Sequence, residues 1–107
     1  MTRDNTIATR VFLVEDHPVM RFGLKMMLQE HGCNVCGEAG NLEDALSLLP
    51  AAKPEIAIFD LSLNGKTAFD TLEKVRQQFP QIAQIVYSMH DAELFVENAL
   101  QMGVNAY

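Results

Sequence analysis

The segment Arg10-Val-Phe-Leu-Val-Glu-Asp16 joins an apolar run to two acids, and it sets the pattern for the rest of the chain. Its β-branched and aromatic side chains favour a buried strand. Pro18, two residues later, suits the first turn of a helix. Helical spacing of apolar residues then continues to Gly32, and glycine favours the end of a helix. The segment therefore predicts a strand, a polar loop and a helix in succession.

The same succession recurs along the chain. Further strands are predicted at Asn34–Ala39, Ile56–Phe59 and Ile85–Tyr87, and a fifth opens at Val104–Tyr107. The first four are each followed by apolar residues at helical spacing. Strands that alternate with helices of about three turns are typical of a parallel sheet covered on both faces, which is an α/β fold. In such sheets ligands bind beyond the carboxyl ends of the strands.

Capping residues and prolines predict where the middle helices begin and end. Asn41 precedes Asp44 by three residues, a pattern that favours a capped helix start. Pro50 and Pro54 predict the end of that second helix, because proline lacks the N–H that helices require. Pro80 predicts the end of the third helix in the same way.

Composition limits the class of protein. The chain has 107 residues, 14 Asp and Glu against 8 Lys and Arg, and a formal charge of −6. This length suits one domain, and the lack of Lys and Arg clusters argues against direct binding to nucleic acid. No run approaches the roughly 18 apolar residues of a membrane span. Residues 1–9 are polar and are predicted to form a flexible arm. The N-terminus lacks the apolar core of a signal peptide, so the protein is predicted to be cytoplasmic, with no membrane partner.

Acids follow the first and third predicted strands. Glu15 and Asp16 end the first strand, Asp60 ends the third, and Ser88 ends the fourth. Because these ends share one edge of the sheet, the three carboxylates should repel one another and raise at least one pKa unless a cation neutralises them. A cluster of oxygen ligands suits Mg²⁺. Helix-dipole effects explain an isolated acid pair, but the convergence with Asp60 makes that explanation less favoured.

Three segments carry a family resemblance: 11–24, 58–65 and 102–107. They resemble the receiver domain of bacterial two-component response regulators, of the subfamily with a C-terminal helix-turn-helix DNA-binding output domain. The resemblance implies a flavodoxin-like, doubly wound parallel sheet with strand order 2-1-3-4-5 over residues 10–107. It also implies that the receiver domain is incomplete here, because the chain stops three positions before the family's lysine and lacks the last helix.

The resemblance implies a signalling switch, not an enzyme, with slow self-dephosphorylation at most. Asp60 would accept a phosphoryl group from a sensor histidine kinase. Mg²⁺ would be held by Glu15, Asp16, Asp60 and the backbone carbonyl of Ser62, and Ser88 would donate its hydroxyl to a phosphoryl oxygen. Transcription would be controlled through an output domain, outside this chain, that binds DNA.

Other positions match residues that modulate the family's switch. Tyr107 matches the switch aromatic, which turns inward when the Ser or Thr hydroxyl is drawn to the phosphoryl group. His90 and Ser62 stand where the family tunes the phosphoryl lifetime, and a surface histidine without a role is an equal alternative for His90. Asn64 and Ala68 stand where the family usually has Pro and Gly, so altered mobility of the loop after Asp60 is expected.

The first helix carries two apolar stripes. Met20 and Leu24 lie on the stripe predicted to enter the core, whereas Val19, Phe22 and Met26 form a second one. A helix that is apolar on two sides requires two partners. The resemblance implies that the last helix of the domain lies beside the first and packs on this second stripe. The alternative is that a second subunit packs there, which makes a homodimer a candidate assembly.

Cys33 and Cys36 have the spacing of a redox or zinc motif. Residues three apart on a strand point to opposite faces, which disfavours a disulfide, so both are predicted to be small buried hydrophobic residues.

Two alternative functions remain. In the first, the acids are vestigial and the chain is a phosphorylation-independent dimerisation module; a Mg²⁺ titration discriminates it. The second is a flavin carrier or an enzyme on the same sheet, which the acids after the first strand disfavour because they would repel a flavin phosphate.

Overall fold

The computed structural model describes residues 8–60 and 69–87. The predicted fourth helix and fifth strand lie outside these residues. The following residues, to which the sequence assigns roles or departures from the family, also lie outside them: Ser62, Asn64, Ala68, Ser88, His90 and Tyr107.

Strands and helices alternate along the described chain. The elements are β1 (Arg10–Val14), α1 (Pro18–Glu30), β2 (Asn34–Ala39), α2 (Leu42–Ala52), β3 (Ile56–Asp60), α3 (Phe69–Gln78) and β4 (Ala83–Tyr87). All strand pairs are parallel, and the strands lie in the order β2-β1-β3-β4. The α/β fold and the first four positions of the predicted strand order are thus confirmed.

Most helix boundaries follow the local signals in the sequence. Pro18 is the first residue of α1, and Gly32 follows its end in a left-handed conformation with φ 86°. The side chain of Asn41 accepts a hydrogen bond from the backbone N–H of Asp44 at 2.8 Å, so it caps α2 as predicted. Helix α3 stops at Gln78, before Pro80.

The prediction that Pro50 ends α2 is wrong, because the helix continues through it to Ala52. Proline removes one backbone N–H, and a contact from β1 stabilises the end of the helix instead. The guanidinium of Arg10 donates to the carbonyl oxygens of Ala52 and Lys53. Lys53 adopts a left-handed conformation with φ 49°, which ends the helix, and Pro54 follows. A cation at these carbonyls also opposes the negative end of the helix dipole.

Helices α2 and α3 cover one face of the sheet. They contribute Ala45, Leu49, Leu72 and Val75 to a buried cluster that includes Phe12, Val14, Ala57, Phe59 and Val86 from the strands. Val11 and Leu13 are equally buried and alternate with Phe12 and Val14, so they point to the opposite face. Packing on the faces of the sheet therefore holds the two central strands, β1 and β3, in place. The acids at the ends of these strands are held in place with them.

Helix α1 is less buried than its pattern predicts. Met20 and Leu24 are only half-buried, and no residue of this helix is fully buried. The second stripe is exposed: Val19 keeps 86%, Phe22 65% and Met26 47% of its accessible surface. Among the described residues, therefore, neither stripe has a partner that buries it completely.

An irregularity in the pairing of β1 with β2 accommodates Cys36. Val11 pairs with Val35 and Phe12 with Gly37, so Cys36 is the extra residue of a bulge. Its Sγ donates a weak hydrogen bond to the carbonyl of Val11 at 3.5 Å. A Cβ atom added at Gly37 would lie 2.6 Å from Cε2 of Phe12, so this position requires glycine.

Both cysteines are free thiols. The prediction that both are buried is wrong, because each is only half-buried. Within the described part of the chain, no helix combines the length and apolar character needed to span a membrane.

Candidate metal centre

The register of the central strands brings two acids to the same level. Val14 pairs with Phe59, so the next residues, Glu15 and Asp60, leave β1 and β3 side by side. Both are buried, with 1% of Glu15 and 7% of Asp60 exposed. A buried carboxylate is costly unless hydrogen bonds or a nearby cation compensate for lost water. The two carboxylates at the carboxyl edge of the sheet therefore require hydrogen bonds or a nearby cation to be stable when charged.

Four side chains converge at this edge. One ligand atom from each of Glu15, Asp16, His17 and Asp60 lies within 4.8 Å of the others. The structure thus brings together the three acids that the sequence predicted to meet. Three carboxylates make a donor set that fits Mg²⁺, a hard cation that accepts oxygen ligands and keeps several waters. His17 is a fourth member, and the sequence reasoning did not select it although it follows the acid pair directly.

Glu15 is held by contacts on both of its carboxylate oxygens. Oε2 accepts the backbone N–H of His17 at 2.8 Å and lies 2.9 Å from the Nδ1 atom of that residue. Oε1 accepts a hydrogen bond from the hydroxyl of Tyr87. The backbone N–H of Glu15 donates to the carbonyl of Ala39 at 3.0 Å. These contacts fix the carboxylate at the edge of the sheet.

Tyr87 reaches Glu15 from a strand that is not adjacent to β1. It ends β4 and pairs with Asp60 in register, while β3 separates β4 from β1. Because neighbouring strands lie about 4.8 Å apart, the phenol must extend across the end of β3 to make this contact. From the sequence, Tyr87 is predicted only as the last residue of a strand. An aromatic side chain with a polar tip at the last position of a strand is the signal that could have identified it.

The electrostatics of the cluster follow from burial and hydrogen bonding. Burial raises the pKa of the Glu15 carboxyl, the hydrogen bonds from His17 oppose this, and the charge of Asp60 adds a smaller increase. The predicted rise in a carboxyl pKa is therefore present, but loss of water causes more of it than repulsion does. The hydrogen bond with Glu15 raises the pKa of His17, and the charge of Asp16 adds to the effect.

Arg21 of α1 anchors the loop that carries the acids. Its Nη1 donates to the carbonyl oxygen of Glu15 at 2.7 Å, and its Nε contacts Oε1 of Glu38 at 3.0 Å. Lys25, one turn further along α1, contacts the other oxygen of Glu38 at 3.2 Å. This network joins α1 to β2 and fixes the backbone of Glu15 beside the site.

A parallel sheet with an acidic cluster at its carboxyl edge defines an α/β domain whose edge carries residues that could hold a cation. The family model described as the response regulator receiver domain matches residues 11–107, and the chain belongs to this family.

Relatives and solved structures agree with this assignment. The nitrate/nitrite response regulator protein NarL of Escherichia coli (strain K12) is 31% identical over 98 residues, which cover 91% of this chain and 45% of the relative. The DNA-binding transcriptional activator DevR/DosR of Mycobacterium tuberculosis (strain ATCC 25618 / H37Rv) is 28% identical and is covered over 46% of its length, with 92% of this chain aligned. The chain therefore spans about half the length of the curated relatives it matches.

A crystal structure of a LuxR-family two-component response regulator from Aurantimonas sp. SI85-9A1 has the same fold. Its TM-score is 0.86 at 27% identity, covering 94% of this chain and 73% of that one. The chain is therefore similar to regulators of the NarL and LuxR type.

Proposed function

We propose that this chain is the phospho-acceptor part of a response regulator, in which Asp60 receives a phosphoryl group from a sensor histidine kinase. The observation that carries the proposal is the convergence of Glu15, Asp16 and Asp60 at the carboxyl edge of the sheet in a member of the receiver family. Mg²⁺ would be held by these three acids and the backbone carbonyl of Ser62.

The proposed reaction is a transfer between a phosphohistidine and a carboxylate. An oxygen of Asp60 bonds to phosphorus, the phosphorus–nitrogen bond breaks, and the imidazole of the kinase leaves with the electron pair of that bond. Such transfer depends mainly on positioning and on neutralising charge. When bound, Mg²⁺ would offset the charge of the phosphoryl oxygens.

The chain's own residues prepare the site. Burial of Asp60 within the end of β3 limits its hydration and holds its carboxylate in one place. Tyr87 and the backbone N–H of His17 hold Glu15, so the negative charge that attracts a cation is already oriented. Preorganisation of this kind lowers the cost of assembling the charged complex.

The remaining roles complete the proposal. Ser88 would donate its hydroxyl to a phosphoryl oxygen, Tyr107 would act as the switch aromatic, and His90 would tune the lifetime of the phosphoryl group. Residues 10–107 would form the receiver domain and residues 1–9 a flexible arm.

The output of the switch would lie outside this chain. DevR/DosR is named a DNA-binding transcriptional activator, and the chain covers 46% of it. We infer that the chain controls transcription in the cytoplasm through a helix-turn-helix output domain, and that the receiver is regulatory, with slow self-dephosphorylation at most.

Labelling by acetyl phosphate tests the acceptor. The full-length protein that contains this domain should gain a phosphoryl group on Asp60 when Mg²⁺ is present, as measured by intact mass and peptide mapping. Asp60→Asn should abolish the label, and removal of Mg²⁺ with EDTA should reduce it strongly. Asp70→Asn is the matched control, because Asp70 is an exposed acid in the first turn of α3 and should leave labelling unchanged. A wild-type protein that gains no label on Asp60, or an Asp60→Asn protein that is still labelled to the wild-type extent, contradicts the proposal.

The exposed stripe on α1 supports a second candidate, a phosphorylation-independent dimerisation module. Val19 and Phe22 keep 86% and 65% of their surface, which is unusual for large apolar side chains of an isolated domain. A Mg²⁺ titration separates the two functions. Vestigial acids would give no saturable response, whereas a working receiver site would saturate.

A further inference from the structure

The imidazole of His17 belongs to the same cluster as the acids. Its Nδ1 lies 2.9 Å from Oε2 of Glu15 and 3.2 Å from Oδ1 of Asp16. A ligand atom of Asp60 lies within 4.8 Å of the same group. The His17 side chain is 71% exposed, whereas those of Glu15 and Asp16 are 1% and 17% exposed, so the imidazole stands on the solvent side of the buried carboxylates.

The structure gives the imidazole no role in starting the helix. His17 occupies the N-cap position of α1, but its side chain makes no capping hydrogen bond. Its backbone N–H donates a hydrogen bond to Oε2 of Glu15 at 2.8 Å, and this bond does not involve the ring. The polar contacts of the ring are therefore contacts with the acids, and the ring can be removed without removing the backbone hydrogen bond.

We propose that His17 is a nitrogen ligand of this cation site and gives it a preference for a first-row transition cation, with Mn²⁺ as the test case, over Mg²⁺. The inference rests on the proposed function to the extent that the same acids hold the cation. Imidazole nitrogen suits transition cations, whereas Mg²⁺ prefers oxygen ligands and water. A set of one imidazole and three carboxylates therefore distinguishes these cations more strongly than three carboxylates alone.

A purely structural role for His17 makes a different prediction. If the ring only positions Glu15, its removal should weaken the binding of Mg²⁺ and Mn²⁺ to the same extent. If the ring is a ligand, its removal should weaken Mn²⁺ binding and leave Mg²⁺ binding nearly unchanged. The ratio of the two affinities therefore separates a ligand from a positioning residue.

The test compares His17→Ala with the wild type in the full-length protein that contains this domain. Calorimetric titrations would measure Mg²⁺ and Mn²⁺ affinity, and pulsed electron paramagnetic resonance of bound Mn²⁺ would detect a directly coordinated ¹⁴N. Loss of a residue that only orients a metal ligand already costs about 10- to 100-fold in affinity, and loss of a direct ligand should cost at least as much, so we expect Mn²⁺ affinity to fall about ten-fold or more. Mg²⁺ affinity should change by less than about two-fold, because it draws on the oxygen ligands. The ¹⁴N signal should disappear.

His31→Ala is the matched control. His31 lies at the other end of α1, is exposed, and contacts the carbonyl of Met27 through Nδ1 at 2.9 Å. Its replacement should leave both affinities and the ¹⁴N signal unchanged. Mn²⁺ is chosen as the probe because its preference for oxygen over thiolate ligands limits binding to Cys33 and Cys36, and because its unpaired electrons make a coordinated ¹⁴N detectable.

Three results would overturn the inference: an equal loss of both cations in His17→Ala, an unchanged Mn²⁺ affinity, or a wild-type protein whose bound Mn²⁺ shows no ¹⁴N coupling. The preserved Mg²⁺ affinity also reports that the variant is folded. None of these results touches the acceptor role of Asp60, which depends on the labelling experiment.

Discussion

Asp60→Asn removes one of two buried carboxylates at the carboxyl edge of the sheet, and we expect it to stabilise the protein when no cation is bound. Glu15 and Asp60 are 1% and 7% exposed, so water screens them poorly. The charge of Asp60 contributes to the raised pKa of Glu15, which shows that the two groups interact unfavourably. Asparagine keeps nearly the same shape and removes the charge.

The separation of the carboxylates sets the size of the effect. Ligand atoms of the cluster lie within 4.8 Å of one another. Two unit charges at about that distance repel by about 1 kcal/mol in water and about 3 kcal/mol at the effective dielectric typical of protein sites. His17 beside Glu15 offsets part of this repulsion. We therefore expect Asp60→Asn to raise the free energy of unfolding by about 1–2 kcal/mol in metal-free protein at neutral pH.

Urea unfolding followed by far-ultraviolet circular dichroism measures this change. With EDTA present, the midpoint of Asp60→Asn should lie above that of the wild type. With saturating Mg²⁺ the advantage should shrink or reverse, because a cation that binds the folded wild type stabilises it by mass action. Asp70→Asn is the control: this exposed acid in the first turn of α3 interacts favourably with the helix dipole, so its loss should cost about 0.3–1 kcal/mol. A metal-free Asp60→Asn protein no more stable than the wild type would refute the reasoning.

Three further predictions follow from single contacts. Tyr87→Phe removes a hydrogen bond to the buried carboxylate of Glu15 and should lower the free energy of unfolding by about 1–2 kcal/mol. Urea unfolding without metal measures this change, and an unchanged midpoint would argue against that bond. Gly37→Ala should cost about 1–3 kcal/mol through its clash with Phe12, whereas Gly23→Ala, with no atom within 4 Å, should be neutral or stabilising in the same assay. Burial raises the pKa of the Cys36 thiol above its ordinary value, so its alkylation rate should still be rising at a pH where that of an unstructured cysteine peptide has levelled off. A plateau at the same pH as the peptide would contradict the burial effect.

Regular patterns explain why so much of the fold could be predicted from the sequence. Apolar runs that end at Glu15 and Asp60 identify buried parallel strands, and parallel strands place their carboxyl ends on one edge. The strand pattern therefore places the acids on one edge, whereas the adjacency of β1 and β3 that brings them together is implied by the family resemblance and confirmed by the strand order. Asn41 and Gly32 mark helix boundaries because capping depends on residues within a few positions.

The features that could not be predicted depend on contacts between distant parts of the chain. Helix α2 continues past Pro50 where Arg10 of β1 stabilises its last carbonyls. Tyr87 contacts Glu15 across 72 residues, and only the strand order shows that its side chain extends across β3. Local periodicity contains no information about either contact.

The hydrogen bond between Tyr87 and Glu15 also gives the protein an optical reporter. The chain has two tyrosines and no tryptophan, so its ultraviolet emission comes from phenol groups alone. A carboxylate that accepts a hydrogen bond from a phenol quenches the fluorescence of that phenol. A cation that draws the carboxylate of Glu15 toward itself would weaken this bond and brighten Tyr87. Occupancy of the centre could then be followed by fluorescence in unlabelled protein, with Tyr87→Phe as the silent reference.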